Sequence, residues 1–535
     1  MENTMQFASR TTGPASRVVT ASSIMNHCQK RRRIQLVPVL RISAILLLTI
    51  QFHFSRCYAE AIDLNPVEEW LAEHGDANLQ NLIDFVSIPS VSSDHDHAHD
   101  VRECAKWLKA DLQDAGLENV EILETKGHPS VYADWLRADD PDAPTVLIYG
   151  HFDVQPADPV DLWTTPPFEP HVREGKLYGR GASDDKGNMY VPVVAIKAYL
   201  KTFKKLPVNV KLLLEGEEEI GSPHMRQLLE HHAAKFAADY AFSADGGMVS
   251  PTTPSLCLML RGAFAMELTL RTADRDMHSG SFGGGVQNPL HAMAHLLASL
   301  HDMETGRINV HGYYDDVDDL TEEERADIAK YPVPESERLR HEGVNVSVGE
   351  IGFNFYERTW ARPTIEVVGM WGGFSGEGIK TVLPREAHAK LVCRTVSSQS
   401  ADTSRKLIES HLTLAAAKIP GAVLEITRNP FSGSPFKTSK DTPGNTVVAA
   451  VLRNLFGREP VGMGMGGSIP VFTLLREILS VETTMLAFGH SDENVHAPDE
   501  FGRIDSFRKG EKAYVRLFQG LADAHAASRQ GKVEL

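Results

Sequence analysis

Cysteine is scarce in this chain, with five in 535 residues, two of them among the first 60. The remaining three, Cys104, Cys257 and Cys393, are too few and too scattered for a disulfide framework. No Cys-x-x-Cys pair occurs, so a bound metal must rely on histidine and carboxylate ligands. Long apolar runs are also missing. The clearest, Ile42 to Ile50, falls well short of the roughly 20 residues that cross a bilayer. Positive charge is in deficit: the formal net charge is -17, and beyond residue 60 the chain holds 46 Lys and Arg against 69 Asp and Glu. A body that acidic repels phosphate backbones, which excludes nucleic acid as a partner and suits a protein that concentrates carboxylates around cations. No repeat of solenoid period is present.

The first 61 residues read as a separate object. Lys30 to Arg33 form a basic cluster, the short apolar run follows, and Ala59-Glu60-Ala61 supplies a small-x-small pattern. This order predicts a secretory signal peptide and an exported protein, periplasmic or secreted, with an uncleaved membrane anchor as the alternative.

The rest is too long for one ordinary core and predicts two domains. Segment 100–116 is an amphipathic helix with a glycine stop. Segments 119–125, 130–136 and 144–150 are strands, the last a continuous apolar run expected of a strand buried on both faces. Helices at 189–204 and 223–235 alternate with strands at 208–214 and 238–243. That alternation predicts an α/β fold with a mixed, mostly parallel sheet. From Arg261 the pattern changes. Residues 264–273 alternate like a half-exposed strand, 289–303 are helical, 312–345 are polar and acidic with helical propensity, and 364–372 and 387–396 are further strands. The expected organisation is a leader (1–61), a first catalytic part (62–261), an inserted α+β lid domain (262–396) and a second catalytic part (397–535), with helices at 402–417 and 443–456 and with strands near 422–427 and 481–488 rejoining the first domain.

Hydrolysis of an amide needs a nucleophilic water, a base and a Lewis acid on the carbonyl, and two metals supply the first and third. Candidate ligands lie at the ends of successive buried strands, where open α/β sheets place their sites. YGHFDV (149–154) offers His151 to a metal, with Asp153 two residues on to orient its ring. GRGASDDKG (179–187) can put Asp184 or Asp185 between two metals. EGEEEIGS (215–222) crowds four Glu into five positions, so one can bind metal while a neighbour acts as base. SADGG (243–247) adds Asp245, GHSDENVHAPDE (489–500) adds His490 and His496, and DMHSGSFGG (276–284) carries His278, which could donate to an oxyanion. Gly462 to Gly467 also match Gly-x-Gly-x-x-Gly, but no good strand precedes them and Glu482 follows too soon for a dinucleotide site.

Taken together, HFDVQP, GRGASDDKG, EGEEEIG, MHSGSFGG, GFSGEGIKTVLP, GGSIP and HAPDE resemble the metallopeptidase family of carnosinase, cytosolic nonspecific dipeptidase, aminoacylase, carboxypeptidase G and succinyl-diaminopimelate desuccinylase. The resemblance runs from about residue 66 to 525 and is best to the dipeptidase branch. It implies two Zn2+ per subunit, with Mn2+ or Co2+ able to fill the same shell. His151 and Asp245 are implied on one metal, Glu219 and His496 on the other, and Asp184 on both. Glu218 is implied as general base and Asp153 as the residue orienting His151. The Asp184–Asp185 peptide is implied to be cis. A homodimer through the inserted domain is implied, with His278 reaching the partner subunit's site, and Arg394, Thr381 and Ser468 are implied to hold the substrate's carboxylate end. Met465, Phe431 and Gly247 depart from the dipeptidase pattern on the substrate side. The expected activity is zinc-dependent hydrolysis of dipeptides or short peptides. The alternatives are an N-acyl amino acid deacylase of the same fold and a catalytically inactive metal-binding protein; the joint presence of base and ligands argues against the latter.

Overall fold

The computed structural model describes residues 63–529. Helix α1 (Ala98–Ala115) buries Val101, Cys104, Ala105, Leu108 and Leu112, the spacing of one helical face, and stops at Gly116, whose φ of 100° is a left-handed cap. Strands β1 (Glu118–Leu123), β2 (Ser130–Trp135), β3 (Thr145–His151), β4 (Asn209–Glu215), β5 (Tyr240–Ser243) and, after a long excursion, a last strand Thr483–Met485 form one six-stranded sheet. Its order is β1-β2-β4-β3-β5 and then Thr483–Met485. The four strands from β4 onward are parallel, while β1 and β2 run antiparallel at one edge. The mixed, mostly parallel α/β fold is therefore present as expected.

Both faces of this sheet are covered, which is why β3 reads as unbroken apolar sequence. Val146 and Ile148 join one core with α1, while Leu147 and Tyr149 join a second core on the opposite face. Each such fully buried aliphatic side chain contributes roughly 1.5–3 kcal/mol. Helix α2 (Lys186–Phe203) is buried on nearly every side, as its all-round apolar sequence requires.

A second layer contains strands β6 (Gly262–Arg271), β7 (Thr364–Gly372), β8 (Glu386–Thr395) and β9 (Val423–Gly433), all antiparallel in the order β7-β8-β6-β9. Helix α3 (Ala401–Ala416) packs on it through Ile408, Leu412 and Ala416. The layer thus runs past residue 396. Residues 402–417 and 422–427 complete the second sheet and do not rejoin the first, because β9 pairs with β6 from Arg271↔Val423 onward. Periodicity identified these elements but could not name their partner.

The acidic stretch becomes two short helices, Glu322–Ile328 and Glu335–His341, followed by helix Phe355–Ala361. The last begins at a capping box in which Asn354 and Glu357 satisfy each other's backbone amides. No helix among the described residues is long and apolar enough to cross a membrane. The leader lies outside the described residues.

Candidate metal centre

The parallel register brings the strand ends together. His151 stands opposite Glu215 across β3 and β4, and Tyr149 opposite Ser243 across β3 and β5, which places Asp245 just beyond the same edge. Gly150 permits the next approach: a Cβ there would sit 2.5 Å from Met189 Cγ and 3.0 Å from Asp185 Oδ2. Through that gap the Asp185 carboxylate accepts the His151 amide at 3.1 Å. The Asp184–Asp185 peptide is cis, as the resemblance implied.

Two clusters result, and Asp184 belongs to both. Ligand atoms of His151, Asp184 and Asp245 lie within 4.8 Å of one another, as do those of Asp184, Glu219 and His496. His151 Nε2 is 3.1 Å from Asp184 Oδ1, and His496 Nε2 is 2.9 Å from Asp184 Oδ2 and 3.3 Å from Glu219 Oε2. Glu218 stands at the edge, its Oε2 4.0 Å from His151 Nε2. His496 itself adopts a left-handed φ of 61°, a conformation that bulky residues rarely accept away from functional turns.

Asp153 is fully buried and works on both sides of the cluster. Its backbone carbonyl is 3.0 Å from His151 Nδ1, which fixes Nε2 as the nitrogen that faces the carboxylates. Its carboxylate accepts the backbone amides of Glu218 and Glu219 at 3.1 and 3.0 Å. The four glutamates of 215–219 divide their tasks. Glu215 accepts the Tyr149 hydroxyl at 2.7 Å, and Glu217 accepts the His128 amide and pairs with His224 at 2.9 Å. Only Glu218 and Glu219 face the cluster.

The electrostatics fit a cation. Burial, reinforced by Asp245, Glu219 and Asp184, pushes the Glu218 carboxyl well above its ordinary range. Burial lifts Asp245 to about 7 and raises Glu219 as well. Hydrogen bonds that the His496 imidazole donates to the Asp184 and Glu219 carboxylates hold it up at about 10. Burial opposes a charge on His151, yet its contacts with Asp153 and Asp184 hold the imidazole well above its usual value. The buried Glu219 Oε1 has no hydrogen-bond partner. A set of His and carboxylate donors with an orphaned carboxylate oxygen and excess buried negative charge is what a pair of divalent cations would satisfy.

Sequence reasoning missed the residues that hold this edge in shape. Glu500 is fully buried, pairs with Arg180 at 2.6 Å, and accepts the amides of Gly181, Ser183 and Asp184 at 3.0 Å each. Glu493 accepts the Ser183 hydroxyl at 2.6 Å and the His490 amide at 3.0 Å. Gln155 donates to Glu219 Oε2 at 2.9 Å. His490 is outside both clusters: its Nε2 bonds Ser506 Oγ at 2.8 Å, and burial lowers it to about 4.

The remaining predicted residues fall into two other groups. Arg394 donates to Ser468 Oγ at 3.3 Å, and Ser468 donates to the Arg261 carbonyl at 2.5 Å. His278 and Thr381 are exposed neighbours at a separate two-stranded ladder, where the Ser279 amide donates to the Thr381 carbonyl and His278 pairs with Val382. Neither joins the cluster within this chain.

The sequence model of peptidase family M20/M25/M40 matches residues 147–520, a span that holds every residue of both clusters. The chain belongs to that family. It is an enzyme, a metal-dependent peptidase. The Cys-Gly metallodipeptidase dug1 of Schizosaccharomyces pombe is 30% identical over 473 residues, covering 86% of this chain and 99% of the relative. The human Beta-Ala-His dipeptidase is 30% identical over 388 residues, covering 72% and 76% of the two chains. Among solved structures, the M20 metallo-carboxypeptidase Sso-CP2 from Sulfolobus solfataricus superposes with a TM-score of 0.74 at 32% identity, covering 83% of this chain and 99% of that one. These relatives correct the assignment of an exported protein. The dug1 relative is covered over 99% of its length by 86% of this chain, and relatives of this kind do not indicate a signal peptide. The periplasmic or secreted location is withdrawn.

Proposed function

We propose that this M20 peptidase hydrolyses the amide bond of dipeptides or short peptides at a two-metal centre, with zinc as the native ion. The sharing of Asp184 between two three-residue groups carries the reading. His151 and Asp245 would hold one ion and Glu219 and His496 the other, with Asp184 available to each group. When bound, the pair supplies an acidified water and a polarised scissile carbonyl. Glu218 accepts the water's proton at its carboxylate and returns it to the departing amine, a task that the upward shift from burial suits. Asp153 orients His151 and fixes the backbone from which Glu218 projects. Arg394, with Ser468 beside it, binds the substrate's carboxylate, since its planar fork matches two oxygens.

We place the inserted lid between about residues 262 and 433. It forms a homodimer, and His278 with Thr381 completes the partner subunit's site. Val367, Val368, Met370 and Trp371 on the edge strand β7 are exposed, which supports such a contact.

A panel of dipeptides and N-acyl amino acids tests the activity. The expected result is chelator-sensitive release of amino acids from dipeptides, restored by zinc. Cleavage of the N-acyl compounds alone would move the protein to the deacylases. No hydrolysis despite bound metal would leave a binding protein.

A further inference from the structure

A cavity of about 480 Å³ opens directly from the cluster, touching Asp184 and Asp245 at its inner end. That volume lies in the range of roughly 300–1,000 Å³ typical of small-ligand sites. Its outer wall comes from the strap between the two short acidic helices and helix Phe355–Ala361. Tyr331, Tyr356 and Trp360 form a packed triad there, with ring centroids 4.5 Å apart for Tyr331–Tyr356 and 4.9 Å for each ring with Trp360. Tyr356 is fixed further by its hydroxyl, which donates to the Val333 carbonyl at 2.8 Å.

The opposite wall explains the glycine run that resembles a nucleotide motif. Strand Val461–Met465 lies under the triad, and a Cβ on Gly464 would sit 2.7 Å from Trp360 Cβ and 2.5 Å from Met259 Cγ. The glycine lets the aromatic strap close onto bare backbone. The strap is tied down by ion pairs: Lys440 to Glu323 at 2.5 Å, Lys437 to Glu324, and Arg325 to Glu357 at 2.9 Å. Met463 and Met465 add thioether surface to the floor.

The charge inventory is equally selective. Among the described residues the only carboxylates on the lining are Asp184 and Asp245, both already engaged as candidate metal ligands. The one guanidinium that the described residues place on the lining, Arg338, is paired with Glu342 at 3.2 Å. Arg394, Thr381 and Ser468 do not line the cavity. Gly466 and Gly467 on the lining directly precede Ser468, so a substrate whose carboxylate sits with Arg394 and Ser468 has the cavity within reach of its other end.

We infer that this cavity is a side-chain pocket for the N-terminal residue of the substrate, selecting a large apolar or aromatic group through Tyr331, Tyr356, Trp360 and Met465. The inference rests on the dipeptidase reading above. A charged side chain such as lysine finds no free carboxylate there, and a small one leaves the triad without a packing partner.

The test is kcat/KM of the full-length, zinc-loaded protein for Phe-Gly, Ala-Gly and Lys-Gly. The expected order places Phe-Gly about 100-fold above Ala-Gly, given that one methylene in a hydrophobic pocket is already worth roughly tenfold or more. Tyr331→Ala should reduce the Phe-Gly to Ala-Gly ratio by about tenfold. Met465→Glu should raise Lys-Gly relative to Phe-Gly, by adding the missing carboxylate. A parent ratio near one, with all three peptides hydrolysed, would overturn the pocket assignment and leave the dipeptidase reading intact. A ratio unmoved in both variants, with thermal melts like the parent's, would also overturn it. Absence of chelator-sensitive hydrolysis on every peptide would instead overturn the reading beneath it.

Discussion

Glu218→Gln is expected to lower kcat on any cleaved peptide by about 10²–10⁴-fold, the usual contribution of a positioned general base. The amide keeps the shape of the side chain and removes its proton affinity. Glu218 lies outside both three-residue groups, so the bound metal should remain at the parent level. Its backbone amide is held by Asp153, which the substitution leaves in place. The discriminating pattern is therefore a collapse of kcat with unchanged metal content and unchanged thermal stability. Loss of metal in parallel with activity would make Glu218 a ligand. Retained activity would remove it from the mechanism.

Glu500→Ala should cost about 3–5 kcal/mol of stability, the usual penalty for breaking a buried ion pair by deleting one partner. The reason is local. Arg180 is 1% exposed and would be left without its carboxylate, while the amides of Gly181, Ser183 and Asp184 would lose their acceptor together. Those amides shape the loop that presents Asp184, so metal affinity should fall along with the melting temperature. Glu500→Gln should be milder, because one amide oxygen still accepts. Chemical denaturation of the three proteins, with and without zinc, measures both effects. Equal stability of Glu500→Ala and parent would show that the pair does not hold the loop.

The legibility of the sequence followed the physics of each signal. The catalytic sheet was readable because β3 and β4 are buried on both faces and leave continuous apolar runs. The cluster was partly readable because His151, Glu218, Glu219 and Asp245 follow the ends of apolar sheet strands, whereas Asp184 precedes helix α2 and His496 lies in a turn, so only their motifs marked them. Glu500 was not readable, although the HAPDE motif contains it, since its role depends on Arg180, 320 positions away. The end of the second layer was misjudged for the same reason. Helical and strand periodicity mark α3 and β9, but pairing with β6 is a long-range fact. His278 and Thr381 lie together at a separate two-stranded ladder, Met277–His278 with Val382–Leu383, and outside both clusters, a placement that local sequence does not encode.

Metal stoichiometry tests the central claim most directly, by counting zinc per chain in the parent and in Asp184→Ala after exhaustive dialysis. The two-metal account predicts two ions in the parent and a loss of both in the variant, because Asp184 is the one residue common to the two groups. A parent that binds a single ion at saturation, or a variant that keeps both, would contradict it.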